Sequence, residues 1–340
     1  PALILGDIAG DGGRISIMIW VGVIFLYYLL ATLMPIDKII GRIYPVFAFA
    51  LIFMALALMV CLFVKWPSLP ELWDGLGNLG ESKGLLSGQP IFPCLFITIA
   101  CGAVSGFHAT QSPMMARCLT DERLGRPVFY GAMITEGIVA LIWATVSSWF
   151  FFDGGAAEVG ATVSAAAPDV VVKVSKGWLG VLGGILAILG VVAAPITSGD
   201  TAFRSARLIV ADFLHLNQKP VANRLMISIP LFLIAGVLLW YNIADENGFN
   251  VIWRYFGWAN QTLAVFMLWT ATAYLVKFMK GLTYLITMIP AAFMTAVCTT
   301  YICVAKIGLG LPDSWNRAIG LATFVVSLVV FYILYFRRRK

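Results

Sequence analysis

The sequence predicts an all-α, polytopic integral membrane protein, and three observations support that prediction. Hydrophobic residues make up 61% of the 340-residue chain and charged residues only 12%, whereas soluble domains are typically about 45–50% apolar and about 25% charged. The mean hydropathy is +0.91. Several apolar runs reach the roughly 20 residues that a helix needs to cross a bilayer.

The apolar runs predict about nine transmembrane helices in a single transmembrane domain over residues 1–340. They are Ile15–Met34, Tyr44–Val64, Ile91–Phe107, Phe129–Phe152, Trp178–Ile196, Leu225–Tyr241, Val251–Val276, Tyr284–Val304 and Ala318–Tyr335. Cytoplasmic loops are enriched in Lys and Arg. Of the 23 such residues, fifteen lie in alternate loops and the C-terminal tail and seven in the other loops. This asymmetry favours an odd number of spans, with Pro1 outside and Lys340 in the cytoplasm.

The third predicted span ends in a break that is central to the functional prediction. Polar and helix-disrupting residues follow its apolar run, namely Ser105, Gly106, His108, Thr110, Gln111, Ser112 and Pro113. Backbone groups freed by a break cannot face hydrocarbon, so they are buried in protein or line a water-filled cavity. Broken helices and intramembrane charges mark solute paths in transporters. We therefore expect a solute site here.

Two ionisable residues lie in or beside this region. Glu136 is about 10 Å deep in the fourth span, at about 1.5 Å per residue, where a lone carboxylate is costly. It is either an ion-coupling group or a buried carboxyl bonded to a neighbouring helix. His108 is able to bind a carboxylate or relay a proton, as histidine side chains do near physiological pH. The alternative is a neutral ring bonded to backbone freed by the break.

The seventh span contains two consecutive amides, Asn260 and Gln261. Neighbouring side chains on a helix point about 100° apart. We therefore expect the two not to share one partner, with one facing a solute cavity and the other a neighbouring helix. We also expect His108, Glu136 and Asn260 to converge on one wet pocket.

The fifth span carries Gly180 and Gly184, a spacing that permits close helix contact. The segment after this span contains Asp200, which is either an ion-coupling residue or the cap of the next helix. That helix, Thr201–Leu214, is amphipathic, and we expect it to lie at the cytoplasmic interface.

Other functional classes find no support in the sequence. It contains no Walker loop, no H-E-x-x-H motif, no nucleophile elbow and no metal-ligand spacing. We therefore expect no cofactor, no metal and no enzymatic activity. The net charge of +6 is explained by cytoplasmic loops rather than by binding of nucleic acid.

Four collinear blocks resemble the carbon starvation protein A (CstA) family. They are 92–109, 130–136, 198–212 and 256–264, which read FPCLFITIACGAVSGFHA, YGAMITE, SGDTAFRSARLIVAD and FGWANQTLA. The resemblance is strongest over residues 85–300. It implies a transporter of the bacterial or archaeal cytoplasmic (inner) membrane that takes up peptides during carbon starvation, or pyruvate, driven by an ion gradient. It also implies the amino acid–polyamine–organocation architecture of two inverted five-helix repeats.

The chain departs from the family pattern in two respects. After His108 it reads ATQSPMMARC, where peptide- and pyruvate-associated members have a Ser-Ser-Gly-Thr-Thr-like run, which leaves the solute open. The family also opens with further spans that do not occur before residue 15, so we expect the chain to be truncated.

The sequence thus predicts a secondary transporter for a peptide, an amino acid or a pyruvate-like carboxylate, acting as a symporter with H⁺ or Na⁺ in the lipid bilayer. The expected solute-binding residues are Ser105, Gly106, His108, Gln111, Ser112, Asn260 and Gln261, and the expected ion-coupling residues are Glu136 and Asp200. The alternatives are a membrane sensor that binds the solute without transport and an intramembrane enzyme, which lacks a nucleophile–base set. The sequence does not define the oligomeric state.

Overall fold

The structure is a computed structural model, and it describes most of the chain. The described residues are 14–33, 37–71, 77–82, 89–163, 167–245 and 248–335, with the single positions 2, 5, 73 and 84. Three residues named above lie outside this set: Pro1 and Lys340, which mark the predicted sides of the membrane, and Met34, where the first predicted span ends.

Among the described residues every regular element is helical, which confirms the all-α prediction. The main helices are α1 (Arg14–Leu33), α2 (Asp37–Lys65), α3 (Phe96–Ile99), α4 (Gly106–Cys118), α5 (Ala132–Phe152), α6 (Ala167–Ala187), α7 (Ala193–Phe213), α8 (Val221–Ala244), α9 (Gly248–Phe278), α10 (Leu285–Val304) and α11 (Asn316–Tyr335). Wide π-helical turns precede α3 and α5 and join α6 to α7, at Ile91–Leu95, Arg126–Gly131 and Ile188–Val192. A 3-10 turn, Ala100–Gly102, extends α3.

Six stretches of the described residues are long and apolar enough to cross a membrane. They are Pro45–Lys65, Ile91–Pro113, Glu122–Phe152, Val221–Ala244, Leu285–Val304 and Asp313–Tyr335, with Ile15–Ala31 as a shorter apolar helix. The chain is therefore a multi-pass membrane protein. The first, fifth and seventh predicted spans are helical over their described residues but are not among the six, so the count of nine stays a prediction. Large apolar side chains such as Val64 and Leu141 are exposed, as expected of residues that face lipid.

The chain divides into two compact units: Pro1–Pro70 with Ile138–Val237, and Glu71–Gly137 with Leu238–Lys340. The core of the first unit contains Met54 and Leu58 of α2, Val146 and Phe150 of α5, and Val174 of α6. These residues are buried at helical spacing, so each helix presents one stripe to the core. The division into two compact units does not decide whether the chain is a single transmembrane domain, which stays a prediction.

Within the first unit the fifth predicted span is kinked rather than straight. Gly180 has φ +63° and ψ −146°, a conformation that is essentially restricted to glycine. The chain bends so sharply that a side chain at Gly183 would overlap the carbonyl of Ser175. The spacing of Gly180 and Gly184 permits close helix contact, but among the described residues the close approaches are at Gly183, against the Ser175 carbonyl, and at Gly190, against Leu51.

The second unit is built around α9, α10 and α11, against which α3 packs. Its core contains Ile97 of α3, Val265 of α9, and Met294 and Val297 of α10. Two indole N–H groups of α9 bond to α10, since Trp258 donates to the Cys298 carbonyl and Trp269 donates to the Thr295 hydroxyl, both at 3.0 Å. This bundle is the rigid surface on which the broken helix rests.

Candidate functional site

The predicted break is confirmed and lies between α3 and α4. The 3-10 turn ends at Gly102, Ser105 is extended (φ −103°, ψ 125°), and α4 starts at Gly106. The third predicted span ends at Phe107, whereas the structure continues as a second half-helix to Cys118. Sequence analysis placed the interruption correctly but did not predict that helix resumes, because the polar residues after it resemble a loop.

Gly106 allows the two half-helices to lie directly on α9. A Cβ at this position would overlap the backbone carbonyl of Asn260 and would come within 2.8 Å of the Leu263 Cβ. Only glycine permits this approach, because backbone atoms of a helix cannot move aside as a flexible side chain can. The role of Gly106 in the structure is therefore close packing at the break.

Gln261 satisfies backbone groups on the α3 side of the break. In the amide orientation that satisfies both polar atoms, its nitrogen donates to the Val104 carbonyl and its oxygen accepts from the Cys101 N–H, each at 2.9 Å. The side chain is completely buried, at 0% exposure. Gln261 thus replaces hydrogen bonds that an unbroken helix would make within itself.

Asn260 reaches the α4 side of the same break. Its Oδ1 accepts from the Phe107 N–H at 2.9 Å, and its Nδ2 lies 3.4 Å from the Cys101 thiol. The prediction that the two amides cannot share one partner is wrong. A broken helix presents freed groups over several residues, so two side chains that point in different directions both meet it. Both amides are buried, since Asn260 is only 4% exposed and Gln261 is 0% exposed.

His108 and Glu136 form an ion-pair contact across two helices. The His108 Nδ1 on α4 lies 3.2 Å from the Glu136 Oε2 on α5. The two side chains are 31% and 35% exposed, so each keeps a face open to a solute or to water. Glu136 approaches the break because its neighbour Gly137 is a glycine, where a Cβ would lie 3.3 Å from the Gly102 carbonyl.

The other predicted solute-binding residues surround this pair on α4. Ser105 is buried immediately before the first residue of α4. The Ser112 hydroxyl donates to the His108 carbonyl at 2.5 Å, one turn back along the helix. Gln111 is half-buried and makes no side-chain hydrogen bond with the described residues. Of the three, Gln111 keeps the most capacity to bind a solute.

Asp200 lies in the first unit, inside α7 rather than at its start. The predicted cap is therefore wrong, since α7 begins at Ala193 and not at Thr201. Asp200 is 3% exposed, and its Oδ2 lies 3.4 Å from the Arg204 Nη2 one turn further along. A carboxylate and guanidinium four residues apart on one helix commonly pair in this way, so the observed contact is local to α7.

Sequence analysis missed Cys101, Gly102 and Gly137. The Cys101 thiol lies 3.4 Å from the Asn260 Nδ2 at the break. The two glycines bring the backbones of α5 and the broken helix together. Sequence signals did exist, because Cys101-Gly102 precedes the break and Gly137 follows the intramembrane acid.

These features define a class of protein: a multi-pass helical membrane protein with a discontinuous helix and an ionisable pair beside the discontinuity. Comparison with known proteins identifies the family. The family model for carbon starvation protein CstA matches residues 14–178 and 153–301. The chain therefore belongs to the CstA family, as its four sequence blocks predict.

Several curated proteins are similar to the chain over part of their length. An uncharacterized membrane protein of Haemophilus influenzae is 46% identical over 176 residues, 44% of this chain and 47% of that protein. The peptide transporter CstA of Campylobacter jejuni is 28% identical over 285 residues, 67% of this chain and 40% of its own. The pyruvate/proton symporter BtsT of Escherichia coli is 28% identical over 324 residues, 70% of this chain and 43% of its own.

The chain spans less than half the length of each of these three relatives. No solved structure matches it.

Proposed function

We propose that the protein is a secondary active transporter that takes up a small organic solute, namely a peptide, an amino acid or a pyruvate-like carboxylate. Uptake is coupled to H⁺ or Na⁺ across a bacterial or archaeal cytoplasmic membrane and serves the response to carbon starvation. The observation that carries the proposal is the His108–Glu136 contact at the start of a half-helix. The names of the peptide and pyruvate transporters among its relatives support it.

The start of α4 provides the solute site in this proposal. The first N–H groups of a helix have no partner within that helix, and the end carries a partial positive charge that attracts anions. The Asn260 amide already occupies the Phe107 N–H, so a solute carboxylate binds beside it. His108 supplies a positive charge when protonated, and Gln111 supplies an amide.

Glu136 provides the coupling step for a proton. While Glu136 is ionised it holds the protonated His108 side chain, and a solute carboxylate has to compete with it. When a proton from outside neutralises Glu136, His108 is released and binds the solute carboxylate. Loss of that proton to the cytoplasm restores the pair and displaces the solute. Both steps include the opening or closing of the His108–Glu136 contact, which is 3.2 Å in the structure.

Asn260 and Gln261 act as positioning residues in this proposal, because both are buried and bonded to the break. Ser105 and Gly106 have the same role. Asp200 is assigned to a second ion-coupling position in the first unit. We also propose the topology that the loop charges indicate, with residue 1 outside and residue 340 in the cytoplasm.

The test is uptake into proteoliposomes that contain the full-length protein and carry an imposed pH gradient, with labelled alanylalanine, alanine and pyruvate as solutes. We expect uptake of at least one solute to depend on the gradient. Glu136→Gln should abolish that dependence, since a neutral amide cannot exchange a proton. His108→Asn should raise the KM for the solute at least about tenfold, because it removes a charged hydrogen-bonding partner.

Two matched variants serve as controls. His215→Asn changes the other of the two histidines, which is exposed and has φ +53°, a conformation that Asn tolerates. Glu122→Gln changes an exposed acid outside α5. Both should transport normally. Unchanged coupling in Glu136→Gln would assign Glu136 a structural role. Solute binding without uptake by any folded preparation would favour the sensor.

A further inference from the structure

A cavity of about 770 Å³ lies in the second unit, beside the turn that leads into α3 and not at the break. Pockets that bind small molecules are typically about 300–1,000 Å³. Its walls come from three places: the helical turn Leu79–Ser82, the segment around Pro90–Phe92, and the turn Asp313–Trp315 with the start of α11. The transport proposal uses none of these residues.

The first unusual feature of the cavity is Asn316, the first residue of α11. Its side chain lines the cavity and is only 6% exposed, and its Oδ1 has no hydrogen-bond partner among the described residues. A buried acceptor without a partner destabilises the folded protein, because it has lost its hydrogen bonds to water. Such atoms in native structures call for an explanation, of which a bound ligand is one. The Asn316 oxygen therefore provides an acceptor for a ligand N–H.

The second feature is a set of charges of both signs. Glu81, Asp313 and Arg317 line the same cavity. Asn78 fixes Glu81 by donating to its Oε2 at 2.8 Å. Within the part of the chain that the structure describes, Asp313 and Arg317 form no ion pair with each other or with another residue. Opposite charges that share a cavity without pairing are available to a ligand that carries both.

We propose that this cavity binds a zwitterion, specifically an α-amino acid or a short peptide with free termini. The ligand ammonium lies between the Asp313 and Glu81 carboxylates and donates to the Asn316 Oδ1. The ligand carboxylate binds the Arg317 guanidinium, a pairing that is strong because both partners are charged. The inference rests on the proposed transport function only for the step of the transport cycle at which the cavity binds its ligand. In the proposed topology the cavity faces outside, so the site collects solute before translocation.

The test measures binding of three probes to the full-length protein in lipid nanodiscs by calorimetry: alanylalanine, its N-acetyl derivative and its C-terminal amide. Arg317→Gln should weaken alanylalanine and the N-acetyl derivative at least about tenfold and leave the amide unchanged. Asp313→Asn should weaken alanylalanine and the amide and leave the N-acetyl derivative unchanged. Asn316→Ala should weaken both probes that carry an ammonium.

Asp313 and Arg317 are exposed, so their variants should fold even if Asn316→Ala does not. Lys306→Gln changes an exposed charge on the loop before α11 and should leave all three affinities unchanged. Equal affinities in wild type, Asp313→Asn and Arg317→Gln would overturn the site. A protein that binds pyruvate but not alanylalanine, with an affinity that depends on Arg317 and not on Asp313, would contradict the proposal that the ligand is a zwitterion.

The same preparations separate this inference from the transport proposal. Charge-dependent binding of alanylalanine without proteoliposome uptake supports the cavity and contradicts transport. Gradient-driven uptake that is unchanged in Asp313→Asn and Arg317→Gln, together with unchanged binding, supports transport and contradicts the cavity.

Discussion

Among the described residues an interrupted helix occurs in each unit, and the interruptions at the α3–α4 break and at Gly180 differ in what accommodates them. In the second unit, the break between α3 and α4 is met by buried amides, an ionisable pair and glycines that admit neighbouring backbones. In the first unit, the kink in α6 is accommodated by Gly180 itself, whose positive φ bends the chain. No neighbouring atom would lie within 4 Å of a Cβ at Gly180.

The two interruptions have different structural requirements: α6 only changes direction at Gly180, whereas the break between α3 and α4 separates two half-helices. A kink needs only a residue that tolerates unusual backbone angles. Holding two half-helices apart inside a membrane requires partners for every freed N–H and C=O group, because lipid supplies none. Polar side chains are costly at that depth. Their concentration at the α3–α4 break and not at Gly180 supports the proposal that the solute site lies at the α3–α4 break.

Gln261→Leu should cause the largest loss of stability and of uptake. This change removes the donor to the Val104 carbonyl and the acceptor of the Cys101 N–H. Each orphaned group costs about 1–3 kcal/mol, so we expect a large fall in the free energy of unfolding, measured by dodecyl sulfate titration, and loss of uptake. Thr270→Val on the lipid-exposed side of α9 is the control. A Gln261→Leu protein with wild-type stability would show that the amide does not support the break.

Gly106→Ala should have the next largest effect. The added methyl group would overlap the Asn260 carbonyl, so α4 has to move off α9 at a cost of about 1–3 kcal/mol. We expect slower uptake and a higher KM, because the movement also displaces His108. Gly131→Ala introduces the same methyl group where no atom lies within 4 Å, and it should behave as wild type. Equal uptake by Gly106→Ala and Gly131→Ala would show that transport does not depend on the close contact between Gly106 and α9.

Gly180→Ala should have the smallest effect on transport. Alanine in this backbone conformation costs about 1–3 kcal/mol, so the loss of stability should resemble that of Gly106→Ala. Uptake per folded molecule and its dependence on the pH gradient should nevertheless stay unchanged. If Gly180→Ala abolished coupling while Gly106→Ala preserved it, the assignment of function to the α3–α4 break would be reversed.

Sequence analysis predicted the helical membrane fold and the position of the break, because apolar run length and misplaced polar residues are local signals. It did not predict the kink at Gly180, since a glycine in a span is equally compatible with packing and with a bend. It placed Asp200 at a helix start because Pro195 and Gly199 resemble a terminus. The helix nevertheless continues through both residues.

The site residues stay a prediction, but one expected proximity is present. His108 and Glu136 were expected to converge, and their side chains lie 3.2 Å apart in the structure. The hydrogen-bond partners of Asn260 and Gln261 could not be predicted from the sequence, because they depend on which face of α9 meets the break. The cavity around Asn316 gave no local signal either, since its walls come from segments more than 200 residues apart in the chain.

Asn260 and Gln261 are adjacent on one continuous helix, yet they hold opposite sides of the break. A slide of α9 by one residue, about 1.5 Å along its axis with a turn of about 100°, withdraws both amides in the same movement. Because both amides belong to one helix, any shift of α9 as a unit would act on the hydrogen bonds of both half-helices at the same time.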